Sequence, residues 1–238
     1  MFYFLLPTLM TYNFILVAAA VIPAVFLMVK VYRSDRLEQE NPYMLWALVR
    51  AGILSSLIAM VAERILSGIL NLTVQDDGLY MILLYFVVVA FSEEGAKYAL
   101  LYRNTWRSRE FNCQYDGVVY AVFVSLGFAL WENISYVLHY GFTTALIRAL
   151  TAIPGHTCFG VFMGVFYGIA RRFENRGQQS KARTCRCLAV LVPALLHGSY
   201  DYIASVETSV WSFVGFIVAL FLLSYFLVVR MSRQDQYI

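Results

Sequence analysis

Seven ionisable residues stand inside otherwise apolar stretches of this 238-residue chain: Glu93, Glu94 and Lys97 behind the run 79–90, then Glu132, His156, and His197 with Asp201. An ionisable side chain in hydrocarbon-compatible sequence costs several kcal/mol unless it faces protein or water, so each of the seven asks for a use. On a helix Glu93 and Lys97 are four apart and share a face. Glu94 lies about 100° round yet only three from Lys97, so one ammonium can neutralise or orient either carboxylate. His197 and Asp201 are also four apart on one face. Carboxylates and imidazoles ligate a catalytic zinc with an open position for water, and equally deprotonate water directly. Either chemistry suits hydrolysis. No serine or cysteine stands in a nucleophile context: Ser92 and Ser199 read as helix-packing hydroxyls, and Cys158 as core.

The elements that must position these residues are membrane helices. With 61% hydrophobic and 14% charged residues and a mean hydropathy of +0.66, the chain is too apolar for a soluble domain, whose charged fraction is about a quarter. Its long apolar segments suffice for about seven spans of roughly 20 residues. That predicts an all-α, polytopic transmembrane helix bundle filling residues 1–238 as a single membrane domain, with the motif-bearing core at 79–205. Residues 1–11 lack a basic n-region and a cleavage site, so the first segment reads as a retained span. Basic residues gather in the loops around 30–36, 103–109 and 171–186 and after 229, while the loop at 71–78 carries Asp76 and Asp77 and no basic residue. By the positive-inside rule every loop fits one topology, N-out and C-in, in the cell membrane. The net charge of +3 is spread over these loops and gives no support to nucleic-acid binding. Four cysteines without a secretory framework are expected to stay reduced.

Several residues take plainer readings. Glu63 and Arg64, late in span two, read as interfacial, and so does His139. Phe128 and Trp131 read as lipid-facing or packing aromatics. Gly160, Gly164 and Gly168 form a stripe for close helix approach. Asp116 reads as the N-cap of span four. Pro154 and Gly155 are expected to open span five beside His156 and free backbone groups there.

The polar set falls on four consecutive spans, with nothing comparable on spans one, two or seven, which predicts that spans three to six surround one polar cavity. Depth along the spans fits less well. At 1.5 Å per residue, Glu93 falls towards the inner half of its span, whereas Glu132 and Asp201 come out about one to two turns towards the other side. Broken helices at Pro154 and Pro193 are the expected remedy.

Glu93-Glu94-x-x-Lys97, Phe128-x-x-x-Glu132, the Pro-Gly-His ending at His156 and His197-x-x-x-Asp201, in this order on successive spans, resemble the PrsW family of intramembrane proteases. That family is distantly related to the CAAX prenyl endopeptidases and the bacteriocin-immunity-type membrane proteases. The resemblance covers about 79–201. It implies a membrane-embedded endopeptidase acting on a single-pass membrane protein such as an anti-sigma factor, within the lipid bilayer. It implies catalytic or metal-binding roles for Glu93, Glu94, Glu132, His156, His197 and Asp201, with Lys97 supporting. Glu93 or Glu94 would activate water. His156 and His197 would bind a divalent metal, zinc foremost, or the scissile carbonyl oxygen, and Glu132 and Asp201 would ligate or orient them. A metal enzyme and a glutamate-activated water both remain open.

Two other classes compete. Intramembrane carboxylates and histidines also build proton relays in transporters and channels, but spans one to three show no match to spans four to six of the kind an inverted repeat gives. A non-catalytic scaffold gripping a partner helix through the glycine stripe would not need every motif position intact.

Overall fold

The structure, a computed structural model of the chain, describes residues 2–206 and 209–238, with side chains from Phe14 onward. All of its regular structure is helical: α1 (Phe2–Tyr32), α2 (Pro42–Thr73), α3 (Asp77–Thr105), α4 (Asp116–Tyr140), α5 (Phe142–Leu150), α6 (Ala152–Asn175), α7 (Gln179–Ser205) and α8 (Val210–Arg233). Taking α5 and α6 together, seven helical segments are long and apolar enough to cross a bilayer, as the composition predicts. Helices are the form such segments must take, because in lipid each backbone N–H and C=O has to be bonded within its own segment.

Local chemistry sets the ends. The Asn41 side chain accepts from the Tyr43 N–H at 3.0 Å, and Pro42 opens α2, at the position where a missing N–H leaves no bond unmade. Asp76 caps α3 by accepting from Leu79 N–H at 2.7 Å. Gly141, with φ 83° and ψ −167°, turns α4 into α5 through a backbone region open almost only to glycine. Asp116 differs from its expected role. It is the first residue of α4 rather than the cap before it, and its Oδ2 reaches back to accept from the N–H groups of Asn112 (3.0 Å) and Cys113 (2.6 Å).

α4 is the central helix, packed against α1, α2 and α6. It is buried almost without interruption from Asp116 to Ala129, whereas α8 turns most of its apolar surface outward, with Trp211, Leu222 and Tyr225 all exposed. Small residues let the backbones meet. A Cβ on Gly164 would stand 2.5 Å from the Gly117 carbonyl oxygen and from Val118 Cα, and one on Gly160 would stand 2.9 Å from Ser125 Cβ. The glycine stripe is a packing device, as expected.

Two further features bear on the site. Within α3 the segment Leu84–Phe91 is π-helical, between α-helical Asp77–Leu83 and Ser92–Thr105; such wide turns recur at functional sites. Pro154 does not open a helix. α6 begins only at Ala152, so the proline lies in its first turn, where no intrahelical N–H bond is due. The interruption lies upstream, at Thr151. Pro193 likewise sits inside a continuous α7.

Candidate active site

Ser92 begins the α-helical half of α3, and the first full turn beyond it presents Glu93, Glu94 and Lys97, all buried. The i,i+4 and i,i+3 spacings do what the sequence predicts. Lys97 Nζ donates to Glu93 Oε2 at 3.2 Å and to Glu94 Oε1 at 2.7 Å. Its third partner comes from α6: His156 Nδ1 at 3.2 Å. The Phe128 ring closes the remaining side, its centroid 3.9 Å from Nζ. Three hydrogen-bond acceptors match the three protons of an ammonium, and a desolvated cation over an aromatic face adds further attraction. Phe128 therefore packs inward, on the lysine.

His156 joins α6 to α4. An ammonium can only donate, so Nδ1 of the imidazole accepts and the proton of the neutral ring sits on Nε2. Nε2 lies 2.9 Å from Glu132 Oε2. Arg148 of α5 holds the same Glu132 oxygen with Nη2 at 3.0 Å, and its Nε donates to Asn133 Oδ1 at 2.9 Å. The His156 carbonyl oxygen also accepts from Ser125 Oγ at 2.6 Å.

His197 joins α7 to α3. Its Nδ1 lies 3.0 Å from Glu94 Oε1 and 3.8 Å from Glu93 Oε2, while Nε2 lies 3.4 Å from Asp201 Oδ2. Phe159 stacks on the ring with centroids 4.7 Å apart and planes 21° apart, which limits the imidazole to one plane. The seven sequence-predicted residues thus form one connected network, Asp201–His197–Glu94–Lys97–His156–Glu132, with Glu93 on the lysine. The two histidines link α3 to Glu132 and Asp201, and neither Pro154 nor Pro193 breaks its helix.

Ligand atoms of Glu93, Glu94, His156 and His197 lie within 4.8 Å of one another, and Glu94 Oε2 is buried with no hydrogen-bond partner. A mixed carboxylate and imidazole set of this size, with one orphaned oxygen, fits a divalent metal. Asp201 lies outside that group and touches His197 from behind, the place of a ligand-orienting carboxylate.

A cavity of about 530 Å³ adjoins the network, lined by Glu63, Glu93, Glu132, His197 and Asp201, with Met60, Trp131 and Tyr136 also on its wall. Glu93 reaches it, whereas Glu94, with no exposed surface, lies behind. The cavity is a correction to the expected one in two ways. α2 contributes a wall, and Glu63 faces the site rather than an interface. The signal was the helical spacing of Ser56, Met60 and Glu63, one face of α2 turned towards α3 and α4. Trp131, 40% exposed, stands at the same cavity. Arg148, which anchors Glu132, was also unassigned from sequence.

A family model described as PrsW family intramembrane metalloprotease matches residues 40–229, well beyond the 79–201 that carries the motifs. "Protease PrsW" of Bacillus subtilis (strain 168) is 32% identical over 190 residues, covering 80% of this chain and 83% of that protein. "Protease PrsW" of Clostridioides difficile (strain 630) is 31% identical over 208 residues, 86% of this chain and 84% of that protein. "Protease PrsW" of Geobacillus kaustophilus (strain HTA426) is 32% identical over 213 residues, 89% and 87% respectively. No solved structure matches the chain significantly.

Proposed function

The chain belongs to the PrsW family of intramembrane metalloproteases, and from that premise we propose that Glu93 activates the attacking water while Glu94, His156 and His197 hold a zinc ion. It is a multi-pass protease of the cell membrane. The observation that carries the division of roles is that Glu93 opens onto the cavity and Glu94 does not. A base must reach water and substrate. A deeply buried carboxylate with one orphaned oxygen suits a ligand.

Zinc at this place would polarise the scissile carbonyl and acidify the bound water. The chain's own groups do the rest. Glu93 takes a proton from the water as its oxygen bonds to the carbonyl carbon, then returns that proton to the amide nitrogen as the C–N bond breaks. Lys97 holds Glu93 and Glu94 in fixed rotamers through the two bonds it gives them. Asp201 orients His197 through Nε2, and Glu132 orients His156. Metal binding competes with Lys97 for His156 Nδ1, since both nitrogens of that ring are already engaged.

The substrate we propose is a single-pass membrane protein of the anti-sigma-factor kind, which is what the family resemblance implies. Its support here is a cavity walled by Tyr85, Trp131 and Tyr136, flat amphipathic side chains suited to a segment at the edge of a bilayer. The N-out, C-in orientation is likewise proposed, from the distribution of basic loops.

The test is cleavage of a reconstituted single-pass substrate by detergent-purified Glu93→Gln and Glu94→Gln proteins, with metal content measured on both. Glu93→Gln is expected to keep its metal and lose activity about 10²–10⁴-fold, the worth of a general base. Glu94→Gln is expected to lose metal as well. Activity near wild type in Glu93→Gln would overturn the assignment.

A further inference from the structure

At the end of the bundle remote from the cavity, three carboxylates from separate stretches of chain converge. Asp35 lies in the connection between α1 and α2, Glu40 just before the cap of α2, and Asp116 in the first turn of α4. One oxygen of each lies within 4.8 Å of the others, and the three residues are 6%, 6% and 0% exposed. Among the described residues no lysine, arginine or histidine forms an ion pair with any of them. Glu132, in the active site on the same helix as Asp116, is sixteen residues away, about 24 Å along the axis.

The acceptor capacity of this cluster is largely unspent. Both oxygens of Asp35 and Oδ1 of Asp116 are buried with no hydrogen-bond partner. Oδ2 of Asp116 is occupied, by the N–H groups of Asn112 and Cys113. Independently of the acids, Tyr120 points the same way. It is fully buried, and its hydroxyl, with no hydrogen-bond partner outside the cluster, lies against Glu40 and Asp116. Asp235, from the last residues of the chain, lies near Asp35. Its Oδ1 accepts from the N–H groups of Tyr115 (2.8 Å) and Gln236 (2.9 Å), and its Oδ2 has no partner.

Buried like charges with empty acceptor oxygens are costly, and a protein relieves them with protons or with a cation. The three grouped side chains are all carboxylates, and an all-oxygen set selects Mg²⁺, Ca²⁺ or Mn²⁺ over zinc.

We propose that Asp35, Glu40 and Asp116 form a second metal site, for a hard divalent cation such as Mg²⁺ or Ca²⁺, with the Tyr120 hydroxyl beside it. The cation fastens the α1–α2 connection to the start of α4. The chain's last residues join there too: Gln114 N–H donates to the Gln236 carbonyl oxygen at 3.0 Å, Ile238 N–H donates to that of Asn112 at 2.7 Å, and Ser232 Oγ donates to that of Ser34. Its role is structural and separate from the catalytic chemistry.

The test uses full-length protein in detergent, stripped with EDTA, then saturated with zinc to fill the nitrogen-containing site. Mn²⁺ is added and bound manganese is counted by electron paramagnetic resonance. About one Mn²⁺ per chain is expected, displaced by excess Mg²⁺ or Ca²⁺. Mg²⁺ or Ca²⁺ at a hundredfold of its Kd should raise the melting temperature by about 5–10 °C. Asp35→Asn/Asp116→Asn should lose both responses, while melting no lower than wild type in EDTA because repulsion has been relieved. Absence of bound Mn²⁺ in the zinc-saturated wild type overturns the proposal, whether or not the double variant folds. So does a thermal response that survives in the double variant.

Discussion

The ammonium nitrogen of Lys97 stands 3.2 Å from Nδ1 of His156, so a cation of the protein itself occupies the point on which Glu93, Glu94 and that imidazole converge. Removing that charge leaves Glu93 and Glu94 buried without a counter-ion. Lys97→Met is therefore expected to depend on a divalent metal for its fold, since a metal is the remaining cation that can neutralise the pair. Melting curves with and without EDTA check this. The variant should lose much more stability to the chelator than wild type does, and an equal loss in both would refute it.

Metal content separates the roles of the histidines. About one zinc per chain is expected in wild type by elemental analysis, and none at the catalytic site in His156→Ala/His197→Ala. Active wild type free of metal would place catalysis on Glu93 alone, with the histidines moved to orienting work.

Glu132 pairs with His156 and is itself held by Arg148. Glu132→Gln and Arg148→Met are each expected to lower kcat/KM about 10–100-fold, the usual cost of losing an orienting partner. The larger effect should belong to Glu132→Gln. The reverse order in a cleavage assay would show that Arg148 contacts substrate.

Gly164→Leu places a side chain where even a Cβ would meet the Gly117 carbonyl oxygen and Val118 Cα at 2.5 Å. Neither neighbour is a flexible side chain, so the cost is expected to exceed the usual ~1–3 kcal/mol of overpacking, and the protein should fail to accumulate. Gly68→Ala, with open space around its Cβ, is the matched control. It should accumulate at wild-type levels on an immunoblot of membranes.

Cysteine labelling reads the orientation. Cys187 is exposed and Cys185 half-buried, while Cys113 and Cys158 are buried. A membrane-impermeant maleimide is expected to leave intact cells unlabelled and to react at Cys187 after permeabilisation. Labelling at Cys187 in intact cells would reverse the N-out, C-in assignment.

The span pattern and the pairing of Lys97 with two glutamates were legible in the sequence because both rest on local regularities: apolar length, and the three- and four-residue spacings of a helix. What escaped depends on how helices are placed beside each other. Glu63 looks like any acid near a span end until α2 is set against α3 and α4. Asp35 and Asp116 are eighty-one residues apart in number and meet only because α1 and α4 pack together. Pro154 follows the same rule: the sequence does not show that the helix starts two residues before it, at Ala152, which makes it a first-turn proline rather than an interior one.

The backbone contact between α4 and α6 leaves no slack in the spacing of those two helices. Glu132 and His156 ride on two helices whose separation is set by glycine against main chain, so their bond length is not adjustable by swapping neighbouring side chains. Met60, Tyr85 and Trp131 sit on the cavity wall, outside those glycine contacts. Exchanging those side chains is therefore expected to reshape the cavity while the spacing of Glu132 and His156 stays as it is.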